Sequence, residues 1–209
     1  MGRIPLLIGL NGFRGSGKDS VADYLVQDYR FKKLAFADRL KDAAAVLWGI
    51  PRHWVDDFKE EDLRAYVTLQ AGDPDELGMR TKSSMSWRQF LQRFGTEMGR
   101  EVFGENFWVD LIIPHKDSST AAADRQFHGN RVISDARFEN ELLRIHALGG
   151  YNVRIVRPGI ESDGHASEIE PPDYLIDYTL VNDGSLVDLR VKVLKMVDDI
   201  QRKDGYYGP

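Results

Sequence analysis

Residues 12–18 have the composition and spacing of a loop that binds phosphate groups. Gly12 and Gly17 lie five positions apart and Lys18 follows directly, between an apolar run and a segment of helical periodicity. Glycines let backbone N–H groups turn inward around phosphate oxygens, and the N-terminus of the following helix adds partial positive charge. Lys18 would then place its ammonium against the β- and γ-phosphates of ATP. The alternative is a glycine-rich turn without a ligand, but the order of strand, turn, lysine and helix favours a phosphate loop.

The residue after this lysine departs from the usual phosphate-loop pattern. Ser or Thr normally follows the lysine and holds Mg²⁺, whereas here Asp19 takes that position and Ser20 comes next. A carboxylate is a hard oxygen ligand, so Asp19 can hold Mg²⁺ directly or through water while Ser20 bonds the α-phosphate. Asp19 can also act only as a helix cap, and the sequence leaves both interpretations open. The ATP-binding residues expected in the loop are Gly15, Ser16, Gly17, Lys18, Asp19 and Ser20.

A second acidic residue follows another short apolar run. Residues 131–134 predict a strand, and Asp135 comes directly after it, where a carboxylate can orient Mg²⁺ through water. Arg137 would project over the same edge of the sheet and stabilise charge on a transferring phosphoryl group. Taken alone, an Asp after a strand is as often a helix cap, but the phosphate loop upstream favours the metal. We therefore predict Lys18, Asp135 and Arg137 as catalytic residues, and Asp19 and Asp135 as Mg²⁺ ligands.

The elements that must position these residues alternate between strands and helices. Short apolar runs predict strands at residues 4–10, 34–36, 131–134, 151–156 and 175–181. Segments of helical periodicity lie between them, and this alternation gives a parallel sheet with right-handed crossovers. We predict an α/β fold of the P-loop NTPase type, a three-layer sandwich around a central, mainly parallel sheet. It forms a single domain over residues 1–209, with a helical acceptor-binding insertion at about 52–115 and a lid-like loop at about 157–172.

The composition excludes several classes of function. The 209 residues include no cysteine, so disulfides and cysteine-based metal sites or nucleophiles are absent. A net charge of −5 argues against binding a nucleic acid polymer, although a few basic side chains suffice for one nucleotide. The apolar run at residues 4–10 is too short to span a membrane, which makes the cytoplasm the expected location. Whether the chain forms a homodimer is left open.

An acceptor that itself carries a phosphate would need positive charge beside the donor phosphates. Lys41 follows the second predicted strand, near the carboxyl edge of the sheet where α/β folds bind ligands. Arg88 lies in the first turn of its predicted helix and can reach a phosphate from there. After the last strand, a turn at residues 182–184 lies beside the nucleotide base in this topology, so we predict adenine contacts from Asn182, Asp183 and Gly184.

Several segments resemble the bacteriophage deoxynucleoside monophosphate kinases, which are P-loop enzymes of the adenylate-kinase-like group. The matching segments lie in order at residues 12–23, 34–50, 86–96, 106–108, 132–141, 153–159 and 181–189. The resemblance implies Mg²⁺-dependent phosphoryl transfer from ATP to a deoxynucleoside monophosphate, abbreviated dNMP. It also implies a role for Trp108 near the acceptor base, although a tryptophan more often packs in a core. The implied acceptor residues are Arg14, Leu40, Lys41, Arg88, Gly95, Trp108 and Arg137.

Two other functions are compatible with the phosphate loop. One is a P-loop kinase for another small phosphorylated metabolite, such as phosphomevalonate, whose enzymes share the Gly-Lys-Asp ending. The other is a nucleotide-binding protein without transferase activity, which would use ATP only to order the loop at residues 157–172. Formation of ADP with and without an acceptor distinguishes these functions.

Overall fold

The computed structural model of this protein describes residues 5–57, 86–113, 129–161 and 170–203. The contacts between Cα atoms divide the chain into two units. The sheet unit comprises Met1–Phe36 and Ile112–Pro209, and the helical unit comprises Ala37–Leu111. The helical unit begins earlier than the predicted insertion at residues 52–115. The insertion and the lid-like loop stay predictions, and residues 162–169 of that loop lie outside the described ranges.

The sheet unit is built on five parallel strands in the order β2-β3-β1-β4-β5. Their bounds are β1 Leu7–Asn11, β2 Lys32–Leu34, β3 Arg131–Ile133, β4 Tyr151–Val156 and β5 Tyr178–Val181. Strand β1 pairs with β3 on one side and with β4 on the other, so the strand order reverses beside it. In an open α/β sheet, ligands bind outside the carboxyl ends of the strands at such a point. The residues that follow β1 therefore occupy the position of a ligand site.

The described ranges also contain helices, and these belong to both units. They are α1 Lys18–Tyr29, α2 Ala37–Trp48, α3 Arg52–Asp57, α4 Trp87–Arg93, α5 Phe107–Ile112, α6 Glu139–Ala147 and α7 Leu186–Lys203. A π-helical segment, Phe94–Val102, continues α4, and a 3₁₀ turn, Asp173–Leu175, precedes β5. Among the helices in these ranges, none is both long enough and apolar enough to cross a bilayer.

Helices cover the two faces of the sheet with apolar side chains. On one face, Ile8 and Leu10 of β1 share a buried cluster with Leu25 of α1 and Val193 of α7. On the other face lies α6. A Cβ added to Gly9 would lie 3.5 Å from the Cβ of Ala136, which just precedes that helix, and closer still to an isoleucine of α6. Because side chains alternate along a strand, β1 serves both layers. This arrangement confirms the predicted three-layer α/β fold with a parallel sheet.

The second strand ends earlier than predicted. The sequence predicts a strand at residues 34–36, whereas β2 is Lys32–Leu34. The N–H of Phe36 donates to the carboxylate of Asp135 at 2.7 Å, so it takes no part in a strand ladder. The chain then enters α2, and the apolar Phe36 is buried in the turn between strand and helix. Burial in a turn gave this segment the appearance of a strand.

The last strand begins later than predicted, for a similar reason. The sequence predicts it at residues 175–181, whereas β5 begins at Tyr178. Leu175 is buried but lies in the 3₁₀ turn, where the N–H of Ile176 donates to the Asp173 carbonyl. An apolar residue followed by a strand looks like part of that strand when only the hydrophobic pattern is considered.

The helical unit has an apolar core of its own. Ser86 caps α4 by accepting a hydrogen bond from the N–H of Gln89 at 3.2 Å, while the Gln89 side chain accepts from the N–H of Ser86 at 3.0 Å. This reciprocal cap fixes the predicted helix start. Trp87 follows it directly, is fully buried and packs edge-on against Trp48 of α2, with ring centroids 5.5 Å apart.

The π-helical segment accommodates Trp108 at a glycine. A Cβ added to Gly99 would lie 2.5 Å from Cε2 of the indole, closer than real Cβ contacts come. The indole N–H donates to the Gly95 carbonyl at 2.8 Å, and the side chain is only 7% exposed. Position 99 therefore requires glycine, because the Trp108 indole occupies the space that a side chain would need.

We expect Gly99→Ala to lower the free energy of unfolding by about 1–3 kcal/mol, since the added methyl must displace a buried indole. Gly95→Ala is the matched control, because its Cβ would meet only a flexible Leu40 methyl at 3.1 Å. Chemical denaturation of both variants measures the difference. Equal stability of the two variants would contradict the steric argument.

Candidate active site

The backbone of the phosphate loop has left-handed conformations at three glycines. The φ angles of Gly12, Gly15 and Gly17 are 143°, 79° and 107°. L-residues with a side chain rarely adopt such angles, so the loop can be closed in this shape only with glycine. The Lys18 ammonium donates to the carbonyls of Gly12 at 2.5 Å and Phe13 at 2.7 Å. The predicted lysine thus lies on the loop itself, where a phosphate group would compete for its protons.

Ser16 places an unsatisfied hydroxyl beneath this loop. The residue is 1% exposed, and its Oγ has no hydrogen-bond partner among the described residues. It borders a cavity of about 130 Å³ next to two basic side chains, Arg154 and Arg157, with Glu170 also in the wall. Buried polar atoms are normally paired, so the orphaned Ser16 donor suits a ligand with oxygen acceptors. The guanidinium of Arg154 already donates to Asp173 and to the Pro171 carbonyl, both at 2.7 Å.

Asp19 lies in the first turn of α1 with its carboxylate pointing to solvent. The side chain is 85% exposed and accepts a hydrogen bond from Lys33 at 3.1 Å; Asp23 also accepts one, at 3.2 Å. Burial lowers the pKa of Lys33, but the hydrogen bonds to Asp19 and Asp23 outweigh that effect and raise the pKa above its usual value. Lys33 therefore stays charged and holds the Asp19 carboxylate beside the loop.

The described residues contain no group of three or more acidic or histidine side chains that could hold a metal ion. A Mg²⁺ ion bound with a nucleotide takes one or two carboxylates and completes its shell with phosphate oxygens and water. The exposed Asp19 carboxylate fits this donor set. Asp135 uses one of its oxygens on the N–H of Phe36, so it has at least a structural role as a cap. Its predicted metal role stays a prediction.

The loop that carries Arg137 is held by side chains from β1 and α6. Asn11, at the end of β1, donates from its amide to the Ala136 carbonyl at 3.0 Å. Glu141 of α6 accepts from the N–H groups of Arg137 at 2.8 Å and Phe138 at 3.1 Å, and it is 3% exposed. The backbone beneath the Arg137 side chain is thereby fixed at the carboxyl edge of the sheet. Sequence reasoning missed both Asn11 and Glu141.

A local signal exists for Glu141 but not for Asn11. Glu141 is the third residue after Phe138, the spacing at which a carboxylate caps the first turn of a helix. Asn11 ends a buried strand as a polar residue, but its partner Ala136 is 125 positions away in the sequence. Only the fold brings these two together.

The turn after β5 uses its polar groups within the sheet unit. The Asn182 amide donates to the Ser16 carbonyl of the phosphate loop at 2.9 Å. Asp183 is paired with Lys192 of α7 at 2.5 Å, and this hydrogen bond lowers the pKa of Asp183 below its usual value. A Cβ on Gly184 would lie 2.7 Å from an oxygen of Asp188, which caps α7. The predicted adenine contacts from these three residues stay predictions.

The predicted acceptor residues divide between the two units. Arg14 and Arg137 belong to the sheet unit, and the others belong to the helical unit. In the helical unit, Leu40 and Trp108 both lie against Gly95, through the methyl contact and the indole hydrogen bond already described. Three of the predicted residues thus form one group, and Arg88 lies in the first turn of α4 as expected.

Lys41 forms an ion pair with Asp56 of α3 at 2.6 Å. Burial would raise the pKa of Asp56, but hydrogen bonds from Lys41 and Arg52 outweigh it and lower the pKa. Arg52 also contacts Asp42 of α2 at 3.1 Å, so charged groups join α2 to α3. An acceptor phosphate at Lys41 would share that lysine with Asp56.

We expect Glu141→Ala to lower the free energy of unfolding by about 1–3 kcal/mol, because two backbone N–H groups lose their acceptor. The matched control is Glu139→Ala, which removes a carboxylate from the same helical turn at an exposed position. Urea denaturation of both variants provides the comparison. The capping role would be refuted if the two substitutions destabilised the protein equally.

Comparisons with known proteins identify the family. The sequence model of the family described as Deoxynucleotide monophosphate kinase matches residues 52–193. A relative from Acanthamoeba polyphaga mimivirus, named as a deoxynucleotide monophosphate kinase, is 33% identical over 93% of this chain and 97% of its own length. Relatives from Enterobacteria phage T4 and Escherichia phage T5, with corresponding names, are each 25% identical; the alignments cover 90% and 93% of this chain and 96% and 97% of the relatives. The resemblance predicted from the sequence is confirmed, and the chain belongs to the deoxynucleotide monophosphate kinase family.

Proposed function

We propose that this protein transfers the γ-phosphoryl group of ATP to a dNMP, giving ADP and a deoxynucleoside diphosphate. The observation that carries the proposal is the glycine loop after β1, with Lys18 on its carbonyls and an orphaned hydroxyl beneath it. Such a loop favours a triphosphate donor. The names of the mimiviral and phage relatives support a nucleotide monophosphate as the acceptor.

The catalytic contribution of these residues is positioning and neutralisation of charge. Phosphoryl transfer passes through a loose transition state, so the protein must align donor and acceptor and stabilise the equatorial oxygens. Lys18 would exchange its two carbonyl partners for oxygens of the β- and γ-phosphates. Arg137, on a backbone held by Glu141 and Asn11, would face the transferring group. No covalent intermediate on the protein is required.

Mg²⁺ fits this site as the companion of ATP. Asp19 would hold the ion directly or through water, and Asp135 is the second carboxylate that we propose for it. When bound to the phosphate oxygens, the ion offsets their negative charge. Lys33 supports this arrangement, since its ion pair with Asp19 holds that side chain near the loop.

For the acceptor, we propose contacts from Arg14 and Arg137 within the sheet unit. The helical unit, considered by itself, carries the other acceptor contacts that we propose. The helical-unit residues are Leu40, Lys41, Arg88, Gly95 and Trp108. Trp108 is buried, so its contribution would come through the shape of the surface that it supports rather than through an open ring face.

A coupled assay of ADP release with an acceptor panel tests the proposed function. The panel contains dAMP, dGMP, dCMP and dTMP, with phosphomevalonate and no acceptor as comparisons. We expect stimulation by at least one dNMP and none by phosphomevalonate. Lys18→Ala serves as the negative control and should abolish nearly all turnover. ADP release that no dNMP stimulates would refute the proposal.

We expect Asp19→Asn to raise the Mg²⁺ concentration that gives half-maximal rate severalfold at saturating ATP, because a neutral amide is a weaker ligand. Asp23→Asn is the control, since Asp23 shares the ion pair with Lys33 but lies a further turn along α1. A Mg²⁺ titration of initial rates measures both. An unchanged requirement in Asp19→Asn would contradict the metal role and leave this residue only its ion pair with Lys33.

A further inference from the structure

Asn182 connects the end of the sheet to the phosphate loop. The residue follows β5 directly and is 9% exposed. Its backbone N–H donates to the Val156 carbonyl at the end of β4, at 2.7 Å. Its side-chain amide donates to the Ser16 carbonyl at 2.9 Å, in a buried hydrogen bond between residues 166 positions apart. The amide therefore reaches the loop from a residue whose own backbone is fixed by the sheet.

This hydrogen bond determines which way one peptide group of the loop faces. A trans peptide is planar, and its C=O and N–H point in opposite directions. When Asn182 binds the Ser16 carbonyl, the N–H of Gly17 must point away from Asn182. Glycine tolerates either orientation of the neighbouring peptide, as the φ of 107° at Gly17 illustrates. The conformation of the loop at this peptide thus needs an external group to select it.

The contact between Asn182 and the loop is also close. A Cβ added to Gly17 would lie 2.6 Å from the Asn182 Nδ2 and 3.5 Å from a methyl of Leu189 on α7. The amide is therefore packed against the loop between β5 and α7, where it cannot rotate freely toward a base.

We propose that Asn182 is a positioning residue for the phosphates of the donor nucleotide, because it fixes the Ser16–Gly17 peptide so that the Gly17 N–H faces the phosphates. The inference rests on the proposed function for the loop and differs from the adenine contact that the sequence predicts for Asn182. An adenine contact requires the base to be present, whereas a positioning role concerns the phosphates alone. Inorganic tripolyphosphate carries the phosphates without the base and separates the two roles.

The test compares binding of ATP and of inorganic tripolyphosphate, both with Mg²⁺, by calorimetry. We expect Asn182→Ala and Asn182→Asp to raise the dissociation constants of both ligands by about tenfold, because one hydrogen bond that orders the site is lost. The alanine variant separates the lost donor from the added charge of aspartate. The matched control is Asn152→Asp, which removes a buried amide donor to the Leu142 carbonyl, at 3.1 Å on the α6 face of the sheet. It should leave the affinity for tripolyphosphate unchanged.

Several outcomes would overturn the inference. If Asn182→Ala weakens the binding of ATP but not that of tripolyphosphate, Asn182 contacts the adenine instead. If Asn152→Asp weakens the binding of tripolyphosphate as strongly as the Asn182 variants do, the effect is a general destabilisation of the protein. A wild-type protein that binds neither ligand refutes the proposed function itself.

A measurement on the wild-type protein does not depend on how the variants fold. Titration of ¹⁵N-labelled protein with tripolyphosphate and Mg²⁺ should shift the Gly17 amide proton strongly downfield, as expected for a donor to an anion. An unmoved Gly17 resonance at saturation, with other loop resonances shifted, would overturn the inference.

Discussion

Backbone polar groups in the loops at the carboxyl edge of the sheet must find partners without the help of regular secondary structure. A buried N–H or C=O without a partner costs free energy comparable to a lost hydrogen bond. Among the side chains that supply such partners in the described ranges are Asn11, Asp135, Glu141 and Asn182. Asn11, Asp135 and Asn182 bond backbone groups that are distant in the sequence, whereas Glu141 caps the turn beside it. These hydrogen bonds hold the phosphate loop and the loop that carries Arg137 each in one backbone geometry.

Lysines of both units have oxygen acceptors within the protein. Lys18 bonds loop carbonyls and Lys33 bonds two carboxylates in the sheet unit, while Lys41 of the helical unit is paired with Asp56. A cation that exchanges one set of oxygen acceptors for another loses less on desolvation than one taken from bulk water. The phosphate contacts proposed for Lys18 and Lys41 would therefore be exchanges of partners, with a net free energy smaller than the number of charge contacts suggests.

The sequence predicted the features that depend on short spacing. The glycines and lysine of the loop, the alternation of strands and helices, and the helix with Arg88 in its first turn are each defined by residues a few positions apart. The sequence failed where the partner is distant. The predicted strand at residues 34–36 ended early because Phe36 bonds Asp135, and the role of Asn11 depends on Ala136. No local pattern encodes such pairs, since apolar burial looks alike in a strand and in a turn.

The position of β1 in the centre of the sheet has a consequence for folding during synthesis. This strand is made before the other four strands of the sheet, yet its neighbours β3 and β4 begin at Arg131 and Tyr151. Pairing over such sequence separations requires closing long loops before the contacts can stabilise them, which slows folding. The clamp from Asn182 to the phosphate loop comes later still. Strand β1 and the loop that follows it are thus made before the segments that fix their native geometry, and the phosphate binding proposed for the loop depends on a residue as distant in the sequence as Asn182.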